Sequence, residues 1–578
     1  MDSTSAGSEP FSVHLGTWTN WSRGPIFGAT LTLARSNGNL LIAFVAFFVA
    51  LVGTRVWRMM CLIFHSAHSS KKPADALHCQ RQAVFRNAST AESGLWSLVQ
   101  IAWAWRLTVN GIWLRMLPDV LGALLCVVGF IVASGFSSQV ATAAGSEVLL
   151  TSSQCGTLSM DLHQDLNAIL NFWEPYATKK WLRSANYAQE CYGEDSSGLM
   201  ECGTFVQQKI PFKVISNASC PFAPGMCRTN DSNLILDTGY LDSNDHFGLN
   251  APKDRRLQWR KVVHCAPLVT EGYKSTFNAS PTQSFTRYHY GKSRVLTDAK
   301  DNLTYEYANG RQFPLNITSS PDYTIRYFLS LYLSLLALPA KLFQNSTNNL
   351  YSTMPAPLLN GSLWDYSTFE PIPELLPKDG DLTIFFLSSN HIPFAAPTMD
   401  EWYRATQKDD THNAVTTLGS DQSASVYYQD EAASPMACLE WQQYCSPSMP
   451  KDHRCGTLGP AADVLLHALP LVKDEADWNR LLWFKGIVTT SSSWLSDLIV
   501  YVRSQSLTSR YRSAAAIQAP LPDNQWQLEV QHWFSSVLAN LQQGFLRTAL
   551  GPPSPDLNPW RASPDNKQAT QMCDSQVR

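Results

Sequence analysis

Charged side chains are scarce in this chain of 578 residues. Asp, Glu, Lys and Arg make up 16% of it, against about 25% in an ordinary soluble protein. The net charge of −3 gives no support to a nucleic-acid partner. Hydrophobic residues make up 45% of the chain, which is enough to bury a core and argues against disorder throughout. The shortage of charge therefore needs a local explanation.

The sequence also lacks the short motifs that would name a reaction, such as G-x-S-x-G, H-E-x-x-H, a phosphate-binding glycine loop or a dinucleotide fingerprint. Asp237-Thr238-Gly239 follows an apolar run, as in an aspartic-protease loop. That chemistry needs a second carboxylate to share a proton, and the other candidate, at 195–198, has the wrong spacing. We therefore predict a strand that ends in a turn, and we assign no catalytic or cofactor-binding residue.

Two groups of potential metal ligands are interpreted as ordinary structure, so we assign no metal ligand. The acidic group, Asp242, Asn244 and Asp245, lacks the glycine and distal glutamate of an EF-hand loop and predicts a solvated turn. The other group matches no compact zinc spacing. It consists of Cys61, His65, His68, His78 and Cys79.

Two long uncharged runs explain part of the low charge. The 19 residues between Arg35 and Arg55 would rise about 28 Å as a helix, which suffices for a hydrocarbon layer about 30 Å thick. The second run is Val120–Phe136, which is apolar throughout. We predict transmembrane helices over 37–56 and 118–138.

Basic residues set the predicted orientation. Eight Lys or Arg but two Asp or Glu lie from Arg55 to Arg115, and the first basic residue after the second run is Lys179. The positive-inside rule places the loop 57–117 in the cytosol. The tail 1–36 and everything after the second span then lie outside the cell or in a lumen.

Within that loop, Leu95–Leu117 is apolar and rich in Trp, but Arg106 and Arg115 interrupt it. This pattern predicts an amphipathic helix at the cytosolic interface. A third crossing, which would invert the region that follows, is the alternative.

Glycosylation sequons are frequent after the second span, which indicates the secretory pathway. Asn20 in the N-terminal tail also qualifies, whereas Asn87 would face the cytosol. The predicted acceptors after the span are Asn217, Asn230, Asn278, Asn302, Asn316, Asn345 and Asn360.

Ten of the 13 cysteines also follow the second span, and an even number in this setting predicts disulfides. They cluster at 155–265 and 438–455, which suggests two local groups of bonds. Proximity favours Cys191–Cys202 and Cys220–Cys227, while spacing leaves the connectivity open. The ten are Cys155, Cys191, Cys202, Cys220, Cys227, Cys265, Cys438, Cys445, Cys455 and Cys573. The other three, Cys61, Cys79 and Cys126, are expected to stay reduced.

The predicted fold class is a disulfide-stapled α+β domain over 139–550, attached to the two N-terminal transmembrane helices. We expect a helix at Met160–Trp173, a strand at Leu382–Leu387 and mainly helices over 460–550. The remainder, 551–578, is rich in proline and predicts an exposed linker.

Two apolar patterns within this region are assigned to its interior. The run Tyr327–Leu338 is too short for a span and predicts a buried element. A stripe at helical spacing predicts the core face of a helix. It consists of Trp526, Val530, Trp533, Val537 and Leu541.

Several stretches together carry a resemblance over nearly the whole chain. They are His14–Gly24 (HLGTWTNWSRG), Phe27–Leu33, Gly38–Phe44, His78–Gln82, Leu236–Gly239, Asp245–Pro252, Cys438–Cys445 with Cys455, and Trp533–Phe534. The chain resembles a large family of uncharacterised membrane glycoproteins of filamentous ascomycete fungi. The resemblance implies a large outer domain, a family turn at Asp237-Thr238-Gly239 and no known activity. It also implies that another hydrophobic span follows a segment like Cys573–Arg578.

We predict a membrane-anchored glycoprotein, with no cofactor, whose outer domain binds, senses or has a structural role at the plasma membrane. Its partners would be the lipid bilayer and an unidentified extracellular ligand or protein. One alternative is a membrane-tethered extracellular hydrolase. The other is a subunit of a transport complex, which the absence of charge within the spans disfavours.

Overall fold

The computed structural model describes residues 11–69, 73–108, 111–136, 147–159, 165–193, 200–281, 283–294, 302–309, 351–409, 425–492, 494–514, 517–563 and 573–577. The chain forms two compact units. The helical unit comprises Leu15–Trp18 and Thr30–Ser146, and the large unit comprises Met1–His14, Thr19–Ala29 and Glu147–Arg578. The predicted buried element at Tyr327–Leu338 lies outside the described residues.

The described part of the helical unit contains four helices, and local sequence fixes where two of them begin. Asp75 caps one by accepting a hydrogen bond from the backbone N–H of His78 at 2.9 Å, and Thr90 with Ser93 forms a capping box for the next. The helices are α1 (Arg35–Ala67), α2 (Ala76–Asn87), α3 (Ala91–Ala104) and α4 (Ile112–Gly135).

Among the described helices, α1 and α4 are the two that are long and apolar enough to cross a membrane. Their apolar windows have mean hydropathies of 2.2 and 2.3. Only 11% and 17% of those windows is buried within the protein, whereas the core helix of a soluble protein would be mostly buried. Both helices start before the predicted spans, and α1 runs on to Ala67.

The prediction of one amphipathic helix over Leu95–Leu117 is wrong. α3 ends at Ala104, and α4 begins at Ile112, directly after Gly111 in the left-handed region (φ +74°). Glycine adopts that conformation without a steric penalty, so it permits a sharp change of direction where the sequence pattern looked continuous. The two halves of the segment therefore belong to different helices.

The large unit contains the remaining described helices and most of the described strands. Its helices are α5 (Leu166–Ala168), which continues through a π-helical turn at Ile169–Trp173 into α6 (Glu174–Tyr187), and then α7 (Val464–His467), α8 (Glu475–Ser492), α9 (Leu495–Val502) and α10 (Gln525–Leu550). The strands of the chain are β1 (Phe11–Val13), β2 (Gly16–Thr19), β3 (Ala29–Thr32), β4 (Val148–Ser152), β5 (Thr157–Leu158), β6 (Lys213–Ala218), β7 (Asn233–Asp237), β8 (Leu241–Asp242), β9 (Gln258–Pro267), β10 (Lys274–Ser280), β11 (Gln283–Tyr288), β12 (Gly291–Ser293), β13 (Tyr305–Asn309), β14 (Ser352–Leu358), β15 (Phe369–Pro371), β16 (Asp381–Ser388), β17 (Gln407–Asp409), β18 (Val426–Tyr428), β19 (Ser434–Cys445), β20 (Ser513–Ala514), β21 (Ile517–Gln518), β22 (Arg561–Ala562) and β23 (Ser575–Val577).

A seven-stranded antiparallel sheet is the centre of the large unit. Its strands run in the order β14-β16-β19-β9-β7-β6, with β8 paired to the end of β9. The strand predicted at Leu382–Leu387 is confirmed as β16, every residue of which is buried. An α+β architecture is therefore confirmed for this unit.

Both faces of the sheet are covered, which explains why β16 is apolar rather than alternating. Phe385 points to the helical side, where its ring lies 5.2 Å from that of Trp533 on α10. Phe386 points to the opposite side, where its ring stacks 4.5 Å from that of Tyr305 on β13. The predicted stripe on α10 is confirmed as a core face, since Trp526 and the four residues that continue it are at most 3% exposed.

The other two segments predicted to be helical differ in how much of them is helix. Of Met160–Trp173, the described part is helical from Leu166 onward. Between 460 and 550, the helices α7 to α10 alternate with 3₁₀ turns and with the short hairpin of β20 and β21. The expectation of mainly helical structure there is confirmed, because these four helices contain most of the residues of the segment.

Five disulfides involve all ten cysteines that follow α4. The pairs favoured by proximity, Cys191–Cys202 and Cys220–Cys227, are confirmed. The expectation of two local groups is wrong, because Cys265–Cys438 joins neighbouring strands across both groups and Cys155–Cys573 spans 418 residues. The fifth pair is Cys445–Cys455.

The C-terminal segment 551–578 is not an exposed linker over its described part. Leu557 and Trp560 are 3% and 2% exposed, and β23 pairs with β4. β1 pairs with the other edge of β4, so the segment after α4 lies between the two ends of the chain. The prediction failed because it rested on the proline and polar residues, which form turns, and overlooked Leu557 and Trp560, which are buried.

Candidate ligand-binding site

A cavity of about 350 Å³ opens between α6, α8, α10 and the segment that follows α10. Four basic side chains line it, three from α6 and one from α10. We call it the basic cavity, after Lys179, Lys180, Arg183 and Arg547. Its volume is at the lower end of the range of about 300–1,000 Å³ for small-molecule sites.

Helical periodicity places these side chains together. Tyr176, Lys179, Lys180 and Arg183 stand at i, i+3, i+4 and i+7 on α6, so they share one face. Residues of the opposite face, such as Trp181, are buried in the core. The sequence reasoning missed this site, although a basic stripe at helical spacing was the signal that could have found it.

The arginines lie close enough to repel each other. Burial lowers the pKa of Arg547, and the charge of Arg183 lowers it further, while the Tyr176 hydroxyl opposes this effect. Among the described residues, no carboxylate forms an ion pair with Lys179, Arg183 or Arg547. The cavity thus concentrates positive charge without a built-in counterion.

Lys180, like Arg547, is half-buried, whereas Lys179 and Arg183 are exposed. The Nζ of Lys180 donates a hydrogen bond to the backbone carbonyl of Thr490 at 2.9 Å. Burial lowers its pKa to about 8, although the charge of Asp497 acts in the opposite direction. A bound anion would favour its charged form.

One acidic side chain, Asp556, also lines the basic cavity, and it is exposed. Its carboxylate accepts a hydrogen bond from the Ser554 hydroxyl at 2.8 Å. The rest of the lining offers hydroxyl groups, such as Ser491, and apolar surface from Leu158 and Phe172. The arrangement can bind an anion that also carries apolar parts.

A second cavity of about 160 Å³ adjoins the first along α10. Gln543 and Arg547 line both. We call it the adjoining cavity; its other lining residues are Tyr187, Glu201, Thr204, Phe205, Leu546 and Leu550.

The protease-like motif lies elsewhere and is part of the sheet. β7 ends at Asp237, and Gly239 follows in the left-handed region (φ +60°), which confirms the predicted strand and turn. Asp237 accepts two hydrogen bonds from the Arg260 guanidinium, at 2.9 and 2.5 Å. Burial would raise the pKa of Asp237, but the Arg260 pair and the Gly239 N–H lower it overall. The carboxylate has a structural role.

The prediction of a solvated turn at Asp242, Asn244 and Asp245 is wrong for its first two members. Asp242 is 7% exposed and Asn244 is fully buried. The Asp242 carboxylate accepts the N–H of Asn244 at 2.9 Å, and the Asn244 amide donates to the carbonyl of Ala251 at 2.7 Å. The three residues tie a tight buried turn, with Asp245 exposed.

The cysteine and histidine group of the helical unit is dispersed. His65 is hydrogen-bonded to Gln82, and the His68 ring lies 2.9 Å from the carbonyl of Phe64. Cys61 is buried, whereas Cys79 is exposed. Within the described ranges, no group of three or more His, Cys, Asp or Glu side chains is placed to hold a metal ion.

The predicted glycan acceptors differ in exposure. Asn217, Asn230, Asn278 and Asn302 are exposed, and Asn360 is half-buried. Asn316 and Asn345 lie outside the described residues.

The structure argues against Asn20 as a glycan acceptor. It is 2% exposed, its amide nitrogen donates to Glu147 at 2.6 Å and its amide oxygen accepts from Gln576 at 3.2 Å. A glycan on that nitrogen would have no space, because the side chain is buried.

The contacts around Asn20 bring together the stretches His14–Gly24 and Asp245–Pro252 and the C-terminal strand β23. Gln576 near the C-terminus donates to Asn250 at 2.7 Å, and Asn250 in turn accepts from the N–H of Trp21. Family models, curated proteins and solved structures were all compared with the chain, and none matches it. A functional assignment therefore depends on the basic cavity, the two apolar helices and the disulfides.

Proposed function

We propose that this chain is a membrane-anchored glycoprotein of the plasma membrane whose large unit faces outward and binds an anionic ligand in the basic cavity. The binding role rests on one observation, the convergence of four basic side chains on a cavity whose described lining includes one carboxylate, that of Asp556.

Three observations support the proposed topology. α1 and α4 can each cross a bilayer. β1, which precedes α1, and β4, which follows α4, pair in one sheet of the large unit, as an even number of crossings requires. The five disulfides suit an oxidising compartment.

A binding measurement on the full chain in nanodiscs of zwitterionic lipid tests the binding role. We expect sulfate to bind and glucose not to bind, as measured by calorimetry. Replacing either arginine removes one of two close cationic contacts, so Arg183→Gln and Arg547→Gln should each weaken binding about tenfold or more. Arg512→Gln is the matched control, because Arg512 is exposed and lies outside the cavity. Equal affinity in all four proteins would refute the site.

Two treatments of the expressed protein test the topology. Removal of N-linked glycans should lower the mass by several glycans, and Asn217→Gln should lower it by one, whereas Asn20→Gln should leave it unchanged. Protease added to intact cells should cut the large unit and spare the segment between α1 and α4. Cleavage of that segment with the large unit intact would invert the orientation.

A further inference from the structure

The basic cavity and the adjoining cavity meet at one side chain. Arg547 lines both, and Gln543, one helical turn earlier on α10, lines both as well. A ligand that extends beyond the basic cavity along α10 would therefore pass Arg547 and enter the adjoining cavity.

The two cavities differ in chemistry. The adjoining cavity has apolar walls from Phe205, Leu546 and Leu550, and the ring of Phe205 packs 5.1 Å from that of Tyr187. The hydroxyl of Tyr187 is already used, since it donates to the carbonyl of Gln208 at 2.7 Å. What this wall offers a ligand is mainly apolar surface.

Charge also separates the two ends. The three cations of α6 line the basic cavity and not the adjoining one, whereas the described lining of the adjoining cavity adds the acidic Glu201. Glu201 disfavours an anion at that end. Arg547 suits the junction, because an arginine presents an apolar stem and a charged head to different surroundings.

We propose that the ligand is a single-chain amphiphile with an anionic head group. Its head lies among Lys179, Arg183 and Arg547, and its apolar chain passes Arg547 into the adjoining cavity. This inference rests on the proposed anion-binding function. The small volume of the adjoining cavity, about 160 Å³, selects one short chain over the paired chains of a bilayer phospholipid.

Alkyl phosphates of different length test this directly, with the full chain in zwitterionic nanodiscs. We expect affinity to rise from inorganic phosphate through butyl phosphate to octyl phosphate, by roughly three- to fourfold per buried methylene until the cavity is filled. 1-Octanol, which has the chain without the head, should bind far more weakly than octyl phosphate.

A matched pair of variants on α10 tests where the alkyl chain of the ligand binds. Leu546→Trp fills the adjoining cavity and should bring the affinity ratio of octyl phosphate to inorganic phosphate close to one. Leu528 lies on the same helix, is 39% exposed and lines neither cavity. The variant Leu528→Trp should therefore preserve the affinity ratio. Circular dichroism and the melting temperature show whether each variant is folded, and Leu550→Trp replaces Leu546→Trp if that variant is not.

Different outcomes would overturn the amphiphile proposal and the proposed anion-binding function. If phosphate and octyl phosphate bind equally, the amphiphile assignment is overturned and anion binding stands. If neither binds, both fail. A ratio unchanged in Leu546→Trp or Leu550→Trp overturns the location of the chain, and competition by phosphatidic acid in the nanodisc overturns the single-chain assignment.

Discussion

The two units stabilise buried polar groups in different ways. In the helical unit, Arg81 on α2 and Asp119 on α4 are 9% and 1% exposed and form an ion pair. In the large unit, buried carboxylates are held mainly by backbone N–H groups. Asp400, for example, accepts from the N–H of Trp402, Tyr403 and Trp526 at 2.8–2.9 Å. The large unit also has a buried ion pair, between Lys261 and Glu440 at 2.8 Å, but there the irregular loops add backbone donors, such as the N–H of Leu495 to the same carboxylate.

Cysteine divides the units in the same way. Cys61, Cys79 and Cys126 of the helical unit are free, and all ten cysteines of the large unit are paired. The helical unit depends on close helix packing instead, as where Gly94 of α3 lies directly against the indole of Trp57 on α1. The large unit is thus stabilised by covalent bonds across long loops, and the helical unit by close contacts between helices.

Loss of a long-range disulfide should give the largest effect. Cys265→Ala with Cys438→Ala opens a bond between residues 173 apart. Since the stabilisation grows with loop length, we expect the unfolding free energy of the large unit to fall by about 5 kcal/mol. Denaturant titration followed by fluorescence measures it. Cys79→Ala, which removes an exposed free thiol, should leave the unfolding free energy unchanged. A fall as large as in the double variant would contradict the view that the disulfides stabilise the large unit.

Removing one partner of the buried ion pair between Arg81 and Asp119 should give the second largest loss of stability. Asp119→Ala leaves Arg81 charged and buried without its carboxylate, which destabilises by about 3–5 kcal/mol. Detergent denaturation of the helical unit in SDS measures this loss. The double variant Arg81→Met with Asp119→Leu removes both charges and should recover most of the stability. A double variant as unstable as the single one would show that the pair itself, and not the stranded charge, is decisive.

The glycine contact should give a smaller effect. A methyl group at position 94 would overlap the Trp57 indole, so Gly94→Ala should destabilise the helical unit by about 1–3 kcal/mol. Gly129→Ala on α4 is the control, because a methyl group there meets no atom within 4 Å. The same SDS titration compares them. If the two variants were equally stable, close packing at Gly94 would not contribute to the stability of the helical unit.

Sequence predicted periodic features and failed where tertiary contacts decide. The two apolar helices, β16 and the stripe on α10 each repeat a local pattern, and each is present. The burial of Asn20 could not be predicted, because its partners Glu147 and Gln576 are 127 and 556 residues away. Disulfide connectivity followed proximity for the short loops and failed for Cys155–Cys573 for the same reason.

The basic cavity was missed for a different reason. Its stripe on α6 has the local periodicity that sequence analysis can detect, but a basic helical face is usually only a solvated face. Arg547, which converts that face into a cavity, is more than 360 residues from Arg183 along the chain. A site of this kind becomes visible only when the fold brings α6 and α10 together.

Two cations, the buried Arg81 and the half-buried Lys180, should respond differently to pH. Arg81 has the Asp119 carboxylate, whereas Lys180 has the Thr490 carbonyl, the ring of Trp181 at 5.6 Å and the charge of Asp497. Burial lowers the pKa of Lys180 to about 8, so its charge is present below that pH and is lost as the pH rises through it. Sulfate keeps its charge over this range, and its affinity should therefore fall roughly fivefold between pH 7 and pH 9, the loss of about 1 kcal/mol of attraction. Lys180→Gln should bind more weakly at pH 7 and show a flat profile, whereas Lys179→Gln, an exposed neighbour, should keep the slope. A slope that survives in Lys180→Gln would assign the titration to another group and leave Lys180 without a role in binding.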